Sequence, residues 1–253
     1  MRTLLLALLV ACATAAGPAS LTGQYVASGN VLELHASPEG PLRGYLRMDG
    51  HLAALDAVTV SGGLLRATAT AEDGTRSEVT ASIAEGPVLT VGGQAYRRTA
   101  VERPADATVK REIEEAYARL GRAVDSRDHA AFQALRVPEF ATVPPDGVPK
   151  SAASMGERAK SLLQTIQPPV HTSNDVLELT VRGDEAIATV RQKFTRRQPV
   201  DGEGTLHEIH TEVTQRETWR RTSEGWKLVF VDEVRDHARE DRGPTAERPL
   251  SPR

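Results

Sequence analysis

Few side chains in this sequence could carry chemistry. Two glutamates, Glu217 and Glu233, lie on alternating apolar runs around the hairpin that holds both tryptophans, Trp219 and Trp226. A carboxylate enclosed by apolar side chains has its charged form disfavoured and can shuttle a proton. The competing reading leaves both glutamates at a solvated rim, paired with Arg235 or Lys227. His207-Glu-Ile-His210 suggests a metal site, but histidines three apart on a strand point to opposite faces, so no metal is expected there. His35 and His51 stand alone and read as surface residues, and His171 has no better support. The chain lacks a Gly-x-Ser-x-Gly elbow, a Walker loop and a Gly-x-Gly-x-x-Gly helix start. Nucleophilic hydrolase, nucleotide and dinucleotide chemistry therefore have no anchor, and no cofactor is expected. The single cysteine, Cys12, excludes a disulfide framework, a four-thiolate zinc site and a redox Cys-x-x-Cys pair.

The elements that must position these groups fall into two blocks. At 253 residues the chain suits two domains rather than one. Lys and Arg number 31 against 34 Asp and Glu, a net charge of −3, which argues against nucleic-acid partners. Aromatic residues make up only 4%, so any core must be built mainly from Ala, Val, Leu and Ile.

Residues 1–19 read as an export leader: one arginine, the short apolar run Leu4 to Ala13, then Gly17-Pro18. Leu9-Val-Ala-Cys12 resembles a bacterial lipobox, which would make Cys12 a lipidation site and the only link to a membrane. Ala13-Thr-Ala15 alternatively offers a signal-peptidase site and free secretion to the periplasm or exterior. Either way an exported, envelope-associated protein is expected.

Residues 20–98 change to short alternating runs broken by Ser28-Gly-Asn30, Pro38-Glu-Gly40, Asp49-Gly50, Gly62-Gly63, Asp73-Gly74, Gly86-Pro87 and Gly92-Gly93. Asp-Gly and Gly-Gly pairs suit two-residue hairpins. Eight such runs imply a small antiparallel meander or barrel, vaguely lipocalin-like, with Leu32, Leu34, Val58, Val60 and Val79 inward. A barrel of this size is expected to be filled by its own side chains and to serve as a spacer or interaction module.

Residues 99–106 are polar, contain Pro104 and read as a linker ending in a helix cap at Asp106. In the following stretch Ile113, Tyr117, Leu120 and Val124 form one apolar stripe, predicting a helix over 107–127. Shorter helices are predicted over 128–136 and 151–167, with an extended segment from Pro138 to Val143 between them. Four strands follow, over 170–181, 185–195, 206–221 and 225–235. The charged, Pro-containing tail 237–253 is expected to be disordered.

The order helix, short helix, strand, Pro-Asp-Gly turn, helix, four-strand sheet resembles the nuclear transport factor 2-like superfamily, to which ketosteroid isomerase and polyketide cyclases belong. Glu217-Thr-Trp219 through Gly225-Trp-Lys-Leu-Val229 is similar to that family's closing hairpin. The resemblance covers about 107–236 and implies an α+β fold, a cone of three helices on a curved antiparallel sheet. Carried over residue by residue, it places Val213, Gln215, Glu217, Trp219, Lys227, Val229, Val231 and Glu233 inside the cone. Strand parity with Ala188, Val190 and Phe194 adds Gln192. Trp226, Leu228, Phe230 and Asp232 would then face outward, the first three as an adhesive apolar row for which a homodimer or the barrel would supply the cover. Enzymes of the superfamily often carry an acid on the short strand after the second helix. Here that strand offers only Glu139 at its start.

Two functions follow as expectations. In the first, the cone binds a small apolar ligand or a protein partner without catalysis. In the second, Glu217 or Glu233 is the general base of an isomerase, cyclase or hydratase.

Overall fold

The computed structural model of the protein describes residues 21–37, 40–84, 88–100, 103–200 and 204–245. The expected leader, with Cys12, and the expected turns at Pro38-Glu39 and Gly86-Pro87 lie outside the described residues.

The N-terminal block is a closed antiparallel barrel of eight strands: β1 (Gly23–Ala27), β2 (Asn30–Ser37), β3 (Gly40–Met48), β4 (His51–Ser61), β5 (Leu64–Ala71), β6 (Arg76–Ile83), β7 (Val88–Val91) and β8 (Gln94–Ala100). Sequence chemistry explains the tight turns. Asp49 and Gly50 both take positive φ, 51° and 83°, the geometry that matches a two-residue loop to the strand twist. Leu32, Leu34, Leu55, Leu65 and Leu89 fill the interior together with Tyr25 and Tyr96. Val58 is buried with them, and Val60 and Val79 pack partly buried against the same core.

After β9 (Arg103–Pro104) come α1 (Ala107–Asp125), α2 (His129–Ala134), β10 (Arg136–Thr142), β11 (Lys150–Ser151) and α3 (Ala152–Thr165). The first two helices are capped by aspartates. Asp106 accepts from Val109 N and Asp128 from Ala131 N, each at 2.9 Å, which satisfies donors a helix start leaves open. The long strands β12 (Gln167–Arg182), β13 (Glu185–Pro199), β14 (Leu206–Thr222) and β15 (Gly225–Pro244) complete a seven-stranded sheet ordered β11-β10-β15-β14-β13-β12-β9. β10 runs parallel to β15, and the remaining pairs are antiparallel.

Three expectations need correction. The tail is not disordered through 237–244, because β15 continues along β14, with Ile209 opposite Asp241 and His207 opposite Pro244. The ladder and cross-strand pairs such as Arg242–Glu208 and His207–Asp241 hold a strand whose composition alone does not suggest one. Residues 246–253 lie outside the described residues.

Second, the outward row is misassigned. The β14–β15 register slips between Thr218, opposite Phe230, and Trp219, opposite Leu228, leaving Val229 unopposed. This bulge reverses the parity of β15 before it. Trp226 therefore turns to the helices, donating from Nε1 to Glu112 Oε2 at 2.9 Å, and Leu228 joins the cone wall. Phe230 does face outward, where the barrel covers it: the Tyr45 ring lies 4.3 Å from it, and Tyr45 and Leu52 share its core cluster.

Third, His35 is not a surface residue. It is 2% exposed and sits with Glu33 where the barrel meets the sheet. Glu33 takes Arg182 Nη2 at 2.8 Å and Arg216 Nη2 at 3.2 Å, while Arg182 also pairs with Glu185. Arg216 Nη1 donates to His35 Nδ1 at 3.0 Å. A guanidinium cannot accept, so the proton of the neutral ring sits on Nε2, which meets Glu233 Oε1 at 2.7 Å. Close approach of β2 and β3 requires Gly44 at this point, since a Cβ there would stand 1.8 Å from Glu33 O.

Candidate functional site

The helices close over the sheet and leave a cavity of about 240 Å³. Leu120 and Val124 from α1, Phe132 from α2, Met155, Ala159, Leu162 and Leu163 from α3, and Phe194 from β13 give it mostly apolar walls. Its polar lining comes from the strands: Arg136 and Thr142 from β10, Thr172 from β12, Gln192 from β13, and Gln215 and Glu217 from β14. Strand alternation explains the grouping. Gln215 and Glu217 are two apart, as Gln192 and Phe194 are, and Phe140 and Thr142 share one parity of β10.

Glu217 is 3% exposed and held by three donors. Oε2 accepts from Tyr117 Oη at 2.9 Å and Trp219 Nε1 at 3.1 Å, and Oε1 accepts from Gln215 Nε2 at 2.6 Å. Trp219 is fully buried, its ring edge-on to Tyr117 at 5.1 Å. Burial pushes the Glu217 carboxyl above its ordinary range, and these hydrogen bonds oppose the shift without cancelling it. Tyr117 is pushed well up by burial and by Glu217 beside it, which keeps its hydroxyl a donor.

Arg136 faces the same cavity. Its guanidinium stacks between Phe132 and Phe140, 4.4 Å from each ring centre. Its Nε and Nη1 are buried without a hydrogen-bond partner, and burial pushes the group down to about 10. The hydroxyl of Thr172 is likewise buried and unpartnered.

The structure brings Gln192, Gln215, Glu217 and Val231 together on the cavity wall, with Trp219 behind Glu217. Four residues expected there do not line it: Val213 is buried outside the lining, Lys227 pairs with Glu224 at 2.6 Å, and Val229 and Glu233 lie elsewhere. Val229 is the unopposed bulge residue, buried in the core rather than lining the cavity. Glu233 takes a positive φ of 47° at a second slip of the ladder and turns to His35 at the barrel. There burial would raise its carboxyl, but the His35 hydrogen bond and the nearby Arg216 hold it below its ordinary range. Glu139 pairs with Arg220 at 2.6 Å. His207 and His210 turn to different partners, Asp241 and Thr195, and the described residues contain no group of three or more potential metal ligands.

Sequence reading missed Arg136, which it absorbed into the end of the second helix. The parity of Phe140 assigns Thr142 to the cavity face, but the pairing of β10 with β15 is irregular between Arg136 and Ala141, so no local signal marked Arg136.

Comparison with curated proteins finds no match. Among solved structures, the chain is similar to a nuclear transport factor 2-like superfamily protein from Salmonella enterica serovar Typhimurium, at 21% identity and a TM-score of 0.41, covering 56% of this chain and 96% of that one. It is similar to a Kribbella flavida protein at 17% identity and TM-score 0.45, covering 53% and 95%. A type 2 hexachlorocyclohexane dehydrochlorinase matches at 12% identity and TM-score 0.45, covering 57% and 95%. Residues 105–232, half of the chain, match the SnoaL-like domain, and the chain belongs to that family within the nuclear transport factor 2-like superfamily.

Proposed function

We propose that the C-terminal domain binds a small, largely apolar organic molecule in its conical cavity. The supporting observation is the space itself: about 240 Å³ of mostly apolar wall with a few convergent polar groups, the usual character of a small-molecule site. A cavity of about 150 Å³ already admits benzene, so this one suits a ring bearing a short chain. Substituting Ala159→Phe fills the space from α3. A fragment library screened by thermal shift should yield binders of the wild type that this variant loses while keeping its circular dichroism spectrum. Binders retained with equal affinity in a folded Ala159→Phe protein would place the site elsewhere.

A second reading is favoured by one observation: Glu217 is buried beside that cavity with its carboxyl titrating high. This suits proton transfer, in which the carboxylate takes a proton from carbon next to a carbonyl and returns it to another atom. Glu233, held at the barrel, no longer competes for the role. Hydrogen–deuterium exchange of a bound carbonyl compound, followed by NMR, should slow by about 10²–10⁴ in Glu217→Gln. Equal exchange in both proteins would leave binding alone. The leader-like residues 1–19 support export as part of the same proposal. Unchanged membrane fractionation of Cys12→Ala would remove the lipid anchor.

A further inference from the structure

We propose that the molecule held in the cone carries a carboxylate and that Arg136 is the group that receives it. The inference rests on the small-molecule reading above and names the class of ligand.

The contrast among the arginines carries it. Arg182 and Arg216, buried between barrel and sheet, each meet the carboxylate of Glu33 within 3.2 Å, so that Arg182 has a counter-ion although its Nε and Nη1 are also without a hydrogen-bond partner. Arg136 shares an ion pair with no acid among the described residues. Instead it is clamped between two phenyl rings, and its Nε and Nη1, on different edges of the guanidinium, are both buried without an acceptor. A withdrawn cation with no counter-ion is costly to maintain, and a cost of this kind is repaid when an anion arrives.

The charge that Arg136 feels most is that of Glu217, but the two do not touch, and both oxygens of Glu217 are already taken by Tyr117, Trp219 and Gln215. The acid is therefore not a substitute counter-ion. A guanidinium offers parallel N–H groups spaced to suit two carboxylate oxygens, which a neutral amide cannot match. The unpartnered Thr172 hydroxyl, from β12, supplies a further donor to the same cavity. Leu120, Val124, Leu162, Leu163 and Phe194 leave the rest of the space to hydrocarbon. The ligand is thus an amphipathic acid with one anionic end.

Isothermal titration of the full chain at pH 7 with benzoate, 3-phenylpropionate, 2-naphthoate and octanoate, each beside its primary amide, tests this. At least one acid should bind about tenfold or more tighter than its amide, the scale expected of a charge-assisted pair. Arg136→Met should erase that preference while leaving amide affinity nearly unchanged, and Arg136→Lys should restore only part of it. Amides that bind as well as their acids to the wild type would overturn the anion site and leave the cavity reading standing. A preference for acids that survives in a folded Arg136→Met protein would overturn it equally. If neither acids nor amides bind, the cavity reading falls and this inference with it.

Discussion

Glu33 at the foot of the barrel and Glu217 in the cone are hidden from water to nearly the same degree, 0% and 3% exposed, yet their acidities move in opposite directions. For both, burial is the largest influence and raises the carboxyl. Around Glu33 two guanidinium groups overcome it and hold the acid far below its ordinary range. Around Glu217 the partners are a phenol, an indole and an amide, which orient the carboxylate without supplying a formal charge. Burial does not decide what a carboxylate does; the charge of its neighbours does. One region sets its buried cations against acids, and the other has an acid and a guanidinium that share a space without meeting.

The same substitution at the two positions should therefore give opposite results. Glu33→Gln leaves Arg182 and Arg216 buried without their shared counter-ion and should cost about 3–5 kcal/mol in urea unfolding. The pH dependence follows from the lowered acidity constant. The contribution of Glu33 is present above its ordinary value of 4.5 and fades as the pH falls below it, so acid unfolding should be blunted in the variant. Tyr117→Phe comes next. It removes one donor from Glu217, should cost about 1–2 kcal/mol, and should push the carbon NMR titration of that carboxyl higher still. A fall in that titration would mean that Tyr117 does not support the charged form.

Glu217→Gln is the smallest effect and the sharpest test of sign. A new amide can keep its oxygen for Tyr117 and Trp219 while Gln215 turns its own carbonyl to the added N–H. Because the folded state holds the Glu217 proton more tightly than the unfolded chain, wild-type stability declines as the pH rises above 4.5. The Gln variant should then gain on the wild type at neutral pH, on the order of 1 kcal/mol or less, and lose the advantage below pH 4.5. A variant destabilised at neutral pH would show that the charged carboxylate is favoured in the cone, contrary to the contrast drawn with Glu33.

Much of this organisation was legible because it is periodic. The stripe of Ile113, Tyr117 and Val124 indicated α1, and the aspartates at 106 and 128 indicated where helices begin. The family resemblance turned Trp219 into the cone, and alternation from it brought Gln215 and Glu217 to one wall. What failed was aperiodic. A single unopposed residue at Val229 reversed the faces of Trp226 and Leu228, and nothing in Val-Phe-Val-Asp-Glu marks where a ladder slips. Glu233 was lost to the second slip. His35 looked solitary because its partners, Arg216, Asp232 and Glu233, come from the far end of the chain. Long-range charge pairing leaves no local trace, and the strand 237–244 was hidden for the same reason.

The seam at Glu33 and His35 also separates two things that usually coincide. The stretch by which kinship is recognised, residues 105–232, contains Arg182 and Arg216 but not the Glu33 carboxylate they share, nor the Tyr45 ring that shelters Phe230. Severing the polypeptide near residues 99–106 would take from the familial half the carboxylate its two buried arginines share, leave them to Glu185 and Asp232, and bare an aromatic ring. Ancestry is written in one length of this chain, and self-sufficiency requires a longer one.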